Sequence, residues 1–386
     1  MTASLVPDVA HLADEVRAAR ARRGRLRIVG AGSWLDAGRP CDTSESLRVS
    51  ALHGVVIYEP GDLTLTARAG TTLSEIERLT AAEGQWLTLD PHGSADGTLG
   101  ATVATSSYGP LASAFGTPRD HVLGCEFVSG TGDIVRAGGR VVKNVAGFDL
   151  VRLITGSWGT LGALTEITVR LRARPEQERT IVVRITQETA METADAAWRW
   201  LRASDYTPLA AELVSPALAH LMGLEPIGCL VVRLGGNASF VRAAEGAIAA
   251  LGDVRPAPVS TWRSLASAEP QEALVVRLST LPSQIGALWA RASRIAERAG
   301  GFAHATPVRG VVRCVIPRTA DAGSSDDLRI ALAALATECT VVGERLPAPL
   351  WRTLAVERST DALAGRVRRA FDPDRVLNAG ILGEHA

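Results

Sequence analysis

The stretch GSWGTLGALTEITVRL, residues 156–171, joins a glycine-rich turn to a run with the character of a β-strand. Its three glycines, Gly156, Gly159 and Gly162, precede apolar residues that alternate with polar ones, which is the pattern of a half-buried strand. Because glycine has no Cβ, its backbone can approach another group closely. The stretch therefore predicts a tight turn before a long strand, with a ligand or another segment close to the turn.

A second glycine-rich turn lies near the amino terminus. RLRIVGAGSWLDAGRP, residues 25–40, begins as a strand and turns at Gly30–Ala31–Gly32. It lacks the third glycine of the dinucleotide fingerprint, where Leu35 stands, and no helix follows directly, so a Rossmann fold is not predicted. Two interpretations remain: an anion-binding turn whose N–H groups face a pyrophosphate, or a plain tight turn between strands.

The third turn is GTLGATVAT, residues 97–105, which predicts a turn entering a helix of small residues. We expect the first N–H groups and the dipole of that helix to receive a phosphate or the polar edge of a ring. One extended cofactor could contact all three turns, so together they are more specific than any one alone.

Composition places the chain among ordinary globular proteins. Its 386 residues are 46% hydrophobic and 21% charged, which is enough for two domains with their own cores. Basic and acidic residues both number 41, and no basic stripe interleaved with aromatic residues is present, which argues against nucleic acid as a partner. No apolar run is long enough to span a membrane, and the amino terminus has the pattern of an amphipathic helix and not of a signal peptide.

The cysteines indicate a reducing compartment. All five are far apart and none stands in C-x-x-C spacing, which argues against a disulfide framework, a zinc site or an iron–sulfur cluster within this chain. We therefore expect a cytoplasmic protein without a metal of its own, with contact to the inner membrane only through partners.

The length of the predicted segments and the density of glycine change near residues 170–178. Before this point segments are short and glycines dense; TTLSEIERLTAAEG, for example, predicts a helix capped by Thr72 or Ser74 and ended by Gly84. After Pro175, strands and helices alternate, which predicts an antiparallel sheet with helices packed on one side. This alternation of strands and helices is compatible with two related halves, although the two halves share little sequence similarity.

The order of motifs along the chain resembles that of a known family. GAGS, GTLGATVAT, R-D-x-V-L-G, KNVAGFDL, GSWGTLGALTEITVRL and the terminal AFDPDRVLNAGIL resemble the FAD-binding proteins of the vanillyl-alcohol oxidase type, most closely the FAD-binding subunits of bacterial glycolate oxidases. The resemblance implies an α+β fold: a PCMH-type FAD-binding domain of two α+β subdomains over residues 1–174, and a cap domain with an antiparallel sheet covered by helices over 175–345. Residues 346–386 would return to the FAD domain.

The same resemblance implies FAD as the cofactor and assigns residues to it. Ala31 stands where the family usually has glycine, and Ala379 replaces the proline that usually follows Asn378. The implied FAD-binding residues are Gly30, Ala31, Gly32, Ser33, Pro91, His92, Gly93, Gly97, Thr98, Gly100, Ala101, Arg119, Asp120, Lys143, Asn144, Gly147, Asp149, Gly156, Gly159, Thr160, Leu161 and Asn378.

Non-covalent FAD is the expected form. Covalent attachment, which some of the wider family use, needs a His or Cys at the flavin edge, but the pyrophosphate loop has Ser33 and Trp34. His92 and Cys125 are the remaining candidates for attachment.

Lys143 is the only lysine in the sequence. A compact ammonium there could pair with the cofactor diphosphate or with a carboxylate such as Asp149, where a guanidinium would be too wide. The alternative is a solvated lysine on a loop.

The catalytic residues are less clear than the cofactor site. Enzymes of this family remove a hydride from the α-carbon of a 2-hydroxy acid, a base takes the hydroxyl proton, and arginines hold the carboxylate. Relatives that oxidise such acids carry the histidine-rich motif H-G-D-G-N-x-H in the second domain, which this chain lacks. His304, Arg309 and Arg345 are the weak catalytic candidates that remain, and a packed core histidine is the alternative for His304.

Three functions are therefore open. The chain is an FAD-binding subunit that oxidises glycolate to glyoxylate beside a second flavin subunit and an iron–sulfur subunit. Alternatively it is a stand-alone FAD-dependent dehydrogenase of another small hydroxy acid, or a structural subunit that has lost its flavin. The missing histidine motif favours the first.

Overall fold

A computed structural model describes residues 8–41, 43, 45–139, 149–185, 189–318, 326–354 and 362–383. The chain divides into two compact units: unit 1 is Met1–Tyr108, Gly116–Arg174 and Glu357–Ala386, and unit 2 is Gly109–Phe115 and Pro175–Val356. Gly109–Phe115 thus belongs to unit 2, although it lies inside the range that the sequence analysis assigns to the FAD-binding domain.

The strands, in chain order, are β1 (Leu26–Val29), β2 (Glu45–Arg48), β3 (Val55–Glu59), β4 (Thr64–Arg68), β5 (Gln85–Trp86), β6 (Val122–Val128), β7 (Ile134–Gly138), β8 (Ala163–Arg170), β9 (Arg172–Ala173), β10 (Gln177–Ile185), β11 (Ala210–Val214), β12 (Cys229–Gly236), β13 (Gly252–Ala257), β14 (Leu274–Ser279), β15 (Phe302–Thr306), β16 (Val311–Ile316) and β17 (Thr340–Arg345).

The helices are α1 (Val9–Ala21), α2 (Leu73–Ala81), α3 (Leu99–Thr105), α4 (Ala112–Phe115), α5 (Pro118–His121), α6 (Leu150–Ile154), α7 (Ala190–Ala203), α8 (Pro216–Leu221), α9 (Ala238–Ile248), α10 (Thr261–Ser267), α11 (Ile285–Arg298), α12 (Asp326–Leu335), α13 (Ala348–Leu354) and α14 (Ala362–Phe371).

Unit 1 is built on a five-stranded antiparallel sheet of order β3-β4-β8-β6-β7. The long strand β8 is its centre. Six of the eight residues of ALTEITVR are buried, and only the side chains of Glu166 and Arg170 are half-exposed. Helices α3 and α6 pack on this sheet and close one hydrophobic core. The long strand predicted after the glycine-rich turn is therefore confirmed, and it forms the centre of the unit.

The amino-terminal and carboxyl-terminal segments of unit 1 form a second, smaller layer. β1 and β2 pair in parallel, and Leu26 of β1 also bridges to Leu377, so the end of the chain lies along the opposite edge of β1. The apolar face of α1 packs on these segments. The loop after β1 is thereby fixed at its base on both sides.

Two helix starts in unit 1 show how local sequence sets the geometry. The Thr72 hydroxyl accepts the Glu75 N–H at 3.2 Å and caps α2, which resolves the choice between Thr72 and Ser74. The Thr98 hydroxyl accepts the Ala101 N–H at 3.2 Å and caps α3. Both caps satisfy N–H groups that a helix leaves without an internal partner.

Unit 2 is an eight-stranded antiparallel sheet of order β13-β10-β12-β11-β15-β16-β14-β17. Strands β10 to β13 and strands β14 to β17 repeat the same arrangement, βαββαβ, and the two halves meet where β11 pairs with β15. The alternate strand residues that point to one face form a single core with α7, α9, α11, α12 and α13. The predicted α+β class, with helices on one side of an antiparallel sheet, is confirmed. Within the described part of the chain, every helix is too short or too polar to cross a bilayer.

Candidate cofactor site and a buried polar row

A cleft in unit 1 brings the three glycine-rich turns together. Its empty space, counted together with the open solvent at its mouth, is about 690 Å³. One wall is the loop after β1, the second is the face of α3, and the third is the turn before β8. Eight of the predicted residues line it: Gly30, Ala31, Gly32, Ser33, Gly100, Ala101, Gly159 and Asn378.

The loop after β1 carries the hydrogen-bond donors of the cleft. Among the described residues, the backbone N–H groups of Gly30, Ala31, Gly32 and Ser33 have no acceptor. Gly32 has φ +86°, a conformation that glycine adopts without strain. Successive unpaired N–H groups form a concave anion site, so this loop fits a pyrophosphate. Of the two interpretations of the turn, the structure favours the anion-binding one.

The start of α3 differs from expectation. Its N–H groups are already used, because Leu99 donates to Thr71 O at 2.9 Å, Gly100 to Ala69 O at 2.8 Å and Ala101 to the Thr98 hydroxyl. They cannot also receive a phosphate as predicted from the sequence. The contribution of α3 is its small-residue face, where Gly100, Ala101 and Ala104 leave room for something flat.

Close packing holds the walls of the cleft near one another. A Cβ added to Gly30 would lie 2.7 Å from Thr98 Oγ1, so β1 and α3 meet at a point where only glycine fits. A Cβ added to Gly159 would lie 2.7 Å from Asn378 Nδ2 and 2.9 Å from Ile28 Cδ1. These two glycines are therefore required by contacts between walls, which strand and turn patterns do not reveal.

Arg27 holds the far end of the same loop and was not predicted. Its guanidinium donates to Cys41 Sγ at 2.9 Å and to Ala37 O at 3.3 Å. Trp34, in this loop, meets Trp158 of the third turn edge to face, with ring centroids 6.0 Å apart. The only sequence signal for Arg27 was its charge within a short apolar strand. Charged residues are common in surface strands, so this signal did not point to a role.

The other predicted cofactor residues lie outside the lining of the cleft. Pro91, His92 and Gly93 precede the turn into α3, which is formed by Gly97 and Thr98. The Gly156 N–H donates to Val103 O at 3.0 Å. Thr160 and Leu161 are buried before β8. Lys143, Asn144 and Gly147 fall outside the described residues. The pairing proposed between Lys143 and Asp149 stays a prediction.

Two predicted acidic residues have local roles. The Asp120 carboxylate accepts the Thr117 N–H at 2.8 Å and the Thr117 hydroxyl at 3.0 Å, capping the turn that contains Arg119, whose side chain is exposed. Asp149 caps α6 by accepting the Arg152 N–H at 3.0 Å. Asp120 desolvation would raise its pKa, but the Thr117 hydrogen bonds outweigh it, and the pKa is held below the usual range.

Neither candidate for covalent attachment of flavin lies in the cleft lining. Cys125 is buried in β6, and this burial, with a smaller contribution from the Asp149 charge, raises the pKa of its thiol to about 12. The thiolate that would act as nucleophile is therefore almost absent at neutral pH. His92 is 7% exposed and lies before the Gly97 turn.

In unit 2, a row of buried polar side chains crosses the sheet face opposite the helices. The fully buried Glu212 of β11 accepts from Thr306 and lies 2.8 Å from His304 Nδ1, both on the neighbouring strand β15. Glu212 was missed from the sequence. A lone acid within the apolar strand AAELV was its signal, because a buried carboxylate needs a partner.

The row continues through Arg313 of β16, the register partner of His304. Its guanidinium binds Glu269 and donates to Glu344 Oε2 at 2.7 Å. Burial alone lowers the pKa of Arg313, but the charges of Glu269 and Glu344 outweigh it and raise the pKa above its usual range. Arg345 Nη1 lies 3.6 Å from Glu269 Oε2, so two predicted catalytic candidates, His304 and Arg345, are at this row.

Arg309 is placed differently from the other two catalytic candidates. It ends a short 3-10 turn after β15, and its Nη1 donates to Ala112 O at 3.1 Å. The described residues contain no group of three or more His, Cys, Asp or Glu side chains placed to hold a metal ion.

Comparison with known proteins adds to this geometry. Residues 5–138 match the family described as FAD binding domain. Glycolate oxidase subunit GlcE of Escherichia coli (strain K12) is 40% identical over 181 residues, which cover 47% of this chain and 51% of that protein. Glycolate oxidase subunit GlcD of Bacillus subtilis (strain 168) is 36% identical over 161 residues, covering 41% of this chain and 34% of that protein. The matched segments thus span about half or less of these relatives.

A solved structure extends the likeness to the whole fold. The 4-ethylphenol oxidase from Gulosibacter chungangensis aligns over 97% of this chain and 88% of its own, with a TM-score of 0.74 and 15% identity. At that identity the match speaks for the fold alone. The resemblance predicted from the motifs, and FAD as the cofactor, are confirmed by these matches. The chain therefore carries an FAD binding domain in its amino-terminal part and is similar to glycolate oxidase subunits over less than half of its length.

Proposed function

We propose that this protein is the FAD-binding subunit of a glycolate-oxidising complex, in which glycolate becomes glyoxylate and the electrons pass to an iron–sulfur partner. The observation that carries the proposal is the cleft of unit 1. It is lined by Gly30 to Ser33, whose backbone N–H groups have no acceptor among the described residues, and by small residues of α3. Bound FAD supplies the hydride acceptor for the α-carbon of a hydroxy acid.

The chain's own residues hold the cofactor in this proposal. The N–H groups of Gly30 to Ser33 bind the diphosphate oxygens, and Ala101 and Ala104 of α3 leave space for a planar ring. No nucleophile able to bond covalently to the flavin lines the cleft among the described residues, so FAD is held non-covalently. Thr98 caps α3 and Asp120 caps α5, so in this proposal both support the walls of the cleft.

Glycolate and a multi-subunit complex are supported by the named relatives. GlcE and GlcD are both glycolate oxidase subunits, and they are 40% and 36% identical to this chain over 181 and 161 residues. In this proposal a second flavin subunit and an iron–sulfur subunit complete the enzyme, in the cytoplasm or peripheral to the inner membrane through those partners.

The test begins with the visible spectrum of the purified chain. Yellow protein that releases FAD into the supernatant on heat denaturation supports the cofactor assignment. Flavin bleaching by glycolate under anaerobic conditions is then measured with and without candidate partner subunits. A folded, colourless chain that refuses added FAD would contradict the proposal and favour a structural subunit.

A stand-alone dehydrogenase of another small hydroxy acid is the second candidate, and the pair of Glu212 and His304 favours it. A buried carboxylate that holds one ring nitrogen of histidine orients the ring for proton transfer from the substrate hydroxyl. Arg345 and Arg309 would hold the substrate carboxylate. Turnover of lactate by the single chain, abolished in His304→Gln and retained in the surface variant His220→Gln, would support this candidate over the first.

A further inference from the structure

Asn378 occupies a special position in the carboxyl-terminal segment. It is only 5% exposed, and its φ of +42° is unusual for a residue other than glycine. Its backbone N–H donates to Leu26 O at 2.9 Å, which continues the bridge between β1 and the end of the chain. The residue is thus fixed at the back of the FAD cleft by its main chain.

Both ends of the Asn378 side chain are engaged with backbone. Oδ1 accepts the Ile28 N–H at 2.8 Å, and Nδ2 donates to Trp158 O at 2.7 Å. These partners are 350 and 220 residues away in the sequence. Ile28 leads into the Gly30–Ser33 loop, and Trp158 belongs to the third turn, so one amide group joins two different walls of the cleft.

The segment that presents Asn378 is itself held firmly. The fully buried Asp372 accepts the N–H groups of Val376 at 2.8 Å and Leu377 at 3.0 Å, and Arg368 donates to Leu377 O at 2.9 Å. Desolvation of Asp372 raises its pKa despite these donors, because the carboxylate is deeply buried. The amide of Asn378 is therefore presented from a rigid base.

From these contacts we propose that Asn378 is a positioning residue for FAD. It fixes the separation between the donor loop at Gly30–Ser33 and the turn at Trp158–Gly159, and the carboxyl-terminal segment thereby completes the cofactor site. Binding groups must be held within about 0.5 Å of their productive geometry by the residues behind them. Asn378 acts through both walls and does not need to touch FAD.

Two substitutions separate the contacts of this amide. Asn378→Gly removes both side-chain hydrogen bonds without straining the backbone, because glycine tolerates positive φ. Asn378→Asp keeps an acceptor for Ile28 N–H but, when ionised, presents an oxygen to Trp158 O in place of a donor. The second variant tests the link to the Trp158 turn alone, and it also serves if the glycine variant fails to fold.

Asn237→Ala is the matched control. Asn237 caps α9 in unit 2 by accepting the Phe240 N–H at 2.8 Å, so its removal destabilises a helix remote in sequence from the FAD binding domain. This control shows whether a loss of FAD affinity is caused by general instability of the protein or by a change in the cleft.

The experiment is titration of each apo-protein with FAD, followed by flavin fluorescence, beside urea unfolding of the same samples. We expect Kd to rise at least about ten-fold in both Asn378 variants and to stay within about two-fold in Asn237→Ala. The aspartate faces a carbonyl oxygen and should have a raised pKa, so Asn378→Asp should regain affinity between about pH 8 and about pH 5.5, while the natural protein changes little.

Two results would overturn the proposal. The first is an unchanged Kd in Asn378→Asp or Asn378→Gly. The second is a rise in Kd of the same size in Asn237→Ala, at an equal loss of stability, together with an Asn378→Asp variant whose FAD affinity does not recover at low pH. Because the readout is FAD binding alone, the result is independent of whether glycolate is the substrate.

Discussion

Gly30→Ala is the sharpest perturbation that the cleft offers. The φ of Gly30 is not in the left-handed region, so alanine is tolerated by the backbone, and the whole effect must come from contact. The new Cβ would lie 2.7 Å from Thr98 Oγ1, about 0.7 Å closer than the 3.4 Å at which ordinary contact begins. Thr98 cannot simply turn away, because its hydroxyl caps α3.

The magnitude follows from the two ways of relieving this contact. If the Thr98 side chain rotates away, α3 loses its cap, which costs about 0.5–2 kcal/mol. If the side chain stays in place, β1 and α3 must move apart, and overpacking of this kind costs about 1–3 kcal/mol. We expect the apo-protein to lose about 1–2 kcal/mol of unfolding free energy. If the displaced loop loses the same amount of interaction with FAD, Kd rises about 5- to 30-fold.

The assay is urea unfolding of apo-protein together with FAD titration, in a double-mutant cycle with Thr98→Ala. The single variant Thr98→Ala should lose the cap alone, and Gly30→Ala/Thr98→Ala should be no worse, because the added methyl group takes the space of the removed oxygen. Gly246→Ala is the control, since a Cβ there meets nothing within 4 Å and Gly246 lies in α9 of unit 2. It should be neutral or slightly stabilising and leave Kd unchanged.

A Gly30→Ala protein with the stability and FAD affinity of the natural one would show that contact between Gly30 and Thr98 does not limit the packing of the cleft. Additive losses in the double variant would refute the narrower claim that Thr98 Oγ1 is the group displaced.

Three further outcomes are expected. Arg313→Met should lower the unfolding free energy by about 3–5 kcal/mol, measured in urea, because it removes the guanidinium that the buried Glu269 and Glu344 share. The contacts of these carboxylates to Arg345 at 3.6 Å and to Arg277 at 3.7 Å are longer, and a loss below about 1 kcal/mol would mean that they suffice. Asp120→Asn should lower the unfolding free energy by about 0.5–1 kcal/mol at neutral pH. Because the pKa of Asp120 is lower in the folded protein than the value of about 3.9 in the unfolded chain, this difference should disappear as the pH falls through the folded-state pKa. A difference in stability that does not change with pH would contradict this explanation. A thiol reagent at neutral pH should leave three buried cysteines unmodified in the folded protein, because burial raises the pKa of Cys125, Cys229 and Cys314 to about 12 each, and rapid labelling of more than two thiols per chain would oppose it.

Much of the FAD cleft could be predicted from sequence because its signals are local. The glycine turns and the alternating strand before Leu171 each depend on residues within a few positions, and the order of the motifs carried the resemblance to the family. Which turn binds phosphate could not be predicted in this way. The first N–H groups of α3 looked like the better donors, but backbone oxygens of Ala69 and Thr71 occupy two of them.

Periodicity and glycine turns depend on neighbouring residues, so the strands of unit 1 and the antiparallel sheet of unit 2 could be predicted from the chain alone. FAD as the cofactor came from the resemblance of the motif order to a known family. Only the folded chain shows that the Gly30–Ser33 amides find no acceptor in the part of the chain that the structure describes and that Asn378 joins two walls. It also shows that Glu212 meets His304, 92 residues away. Hydrogen-bond partners far apart in the chain are chosen by packing and register, and those exist only once the chain has folded.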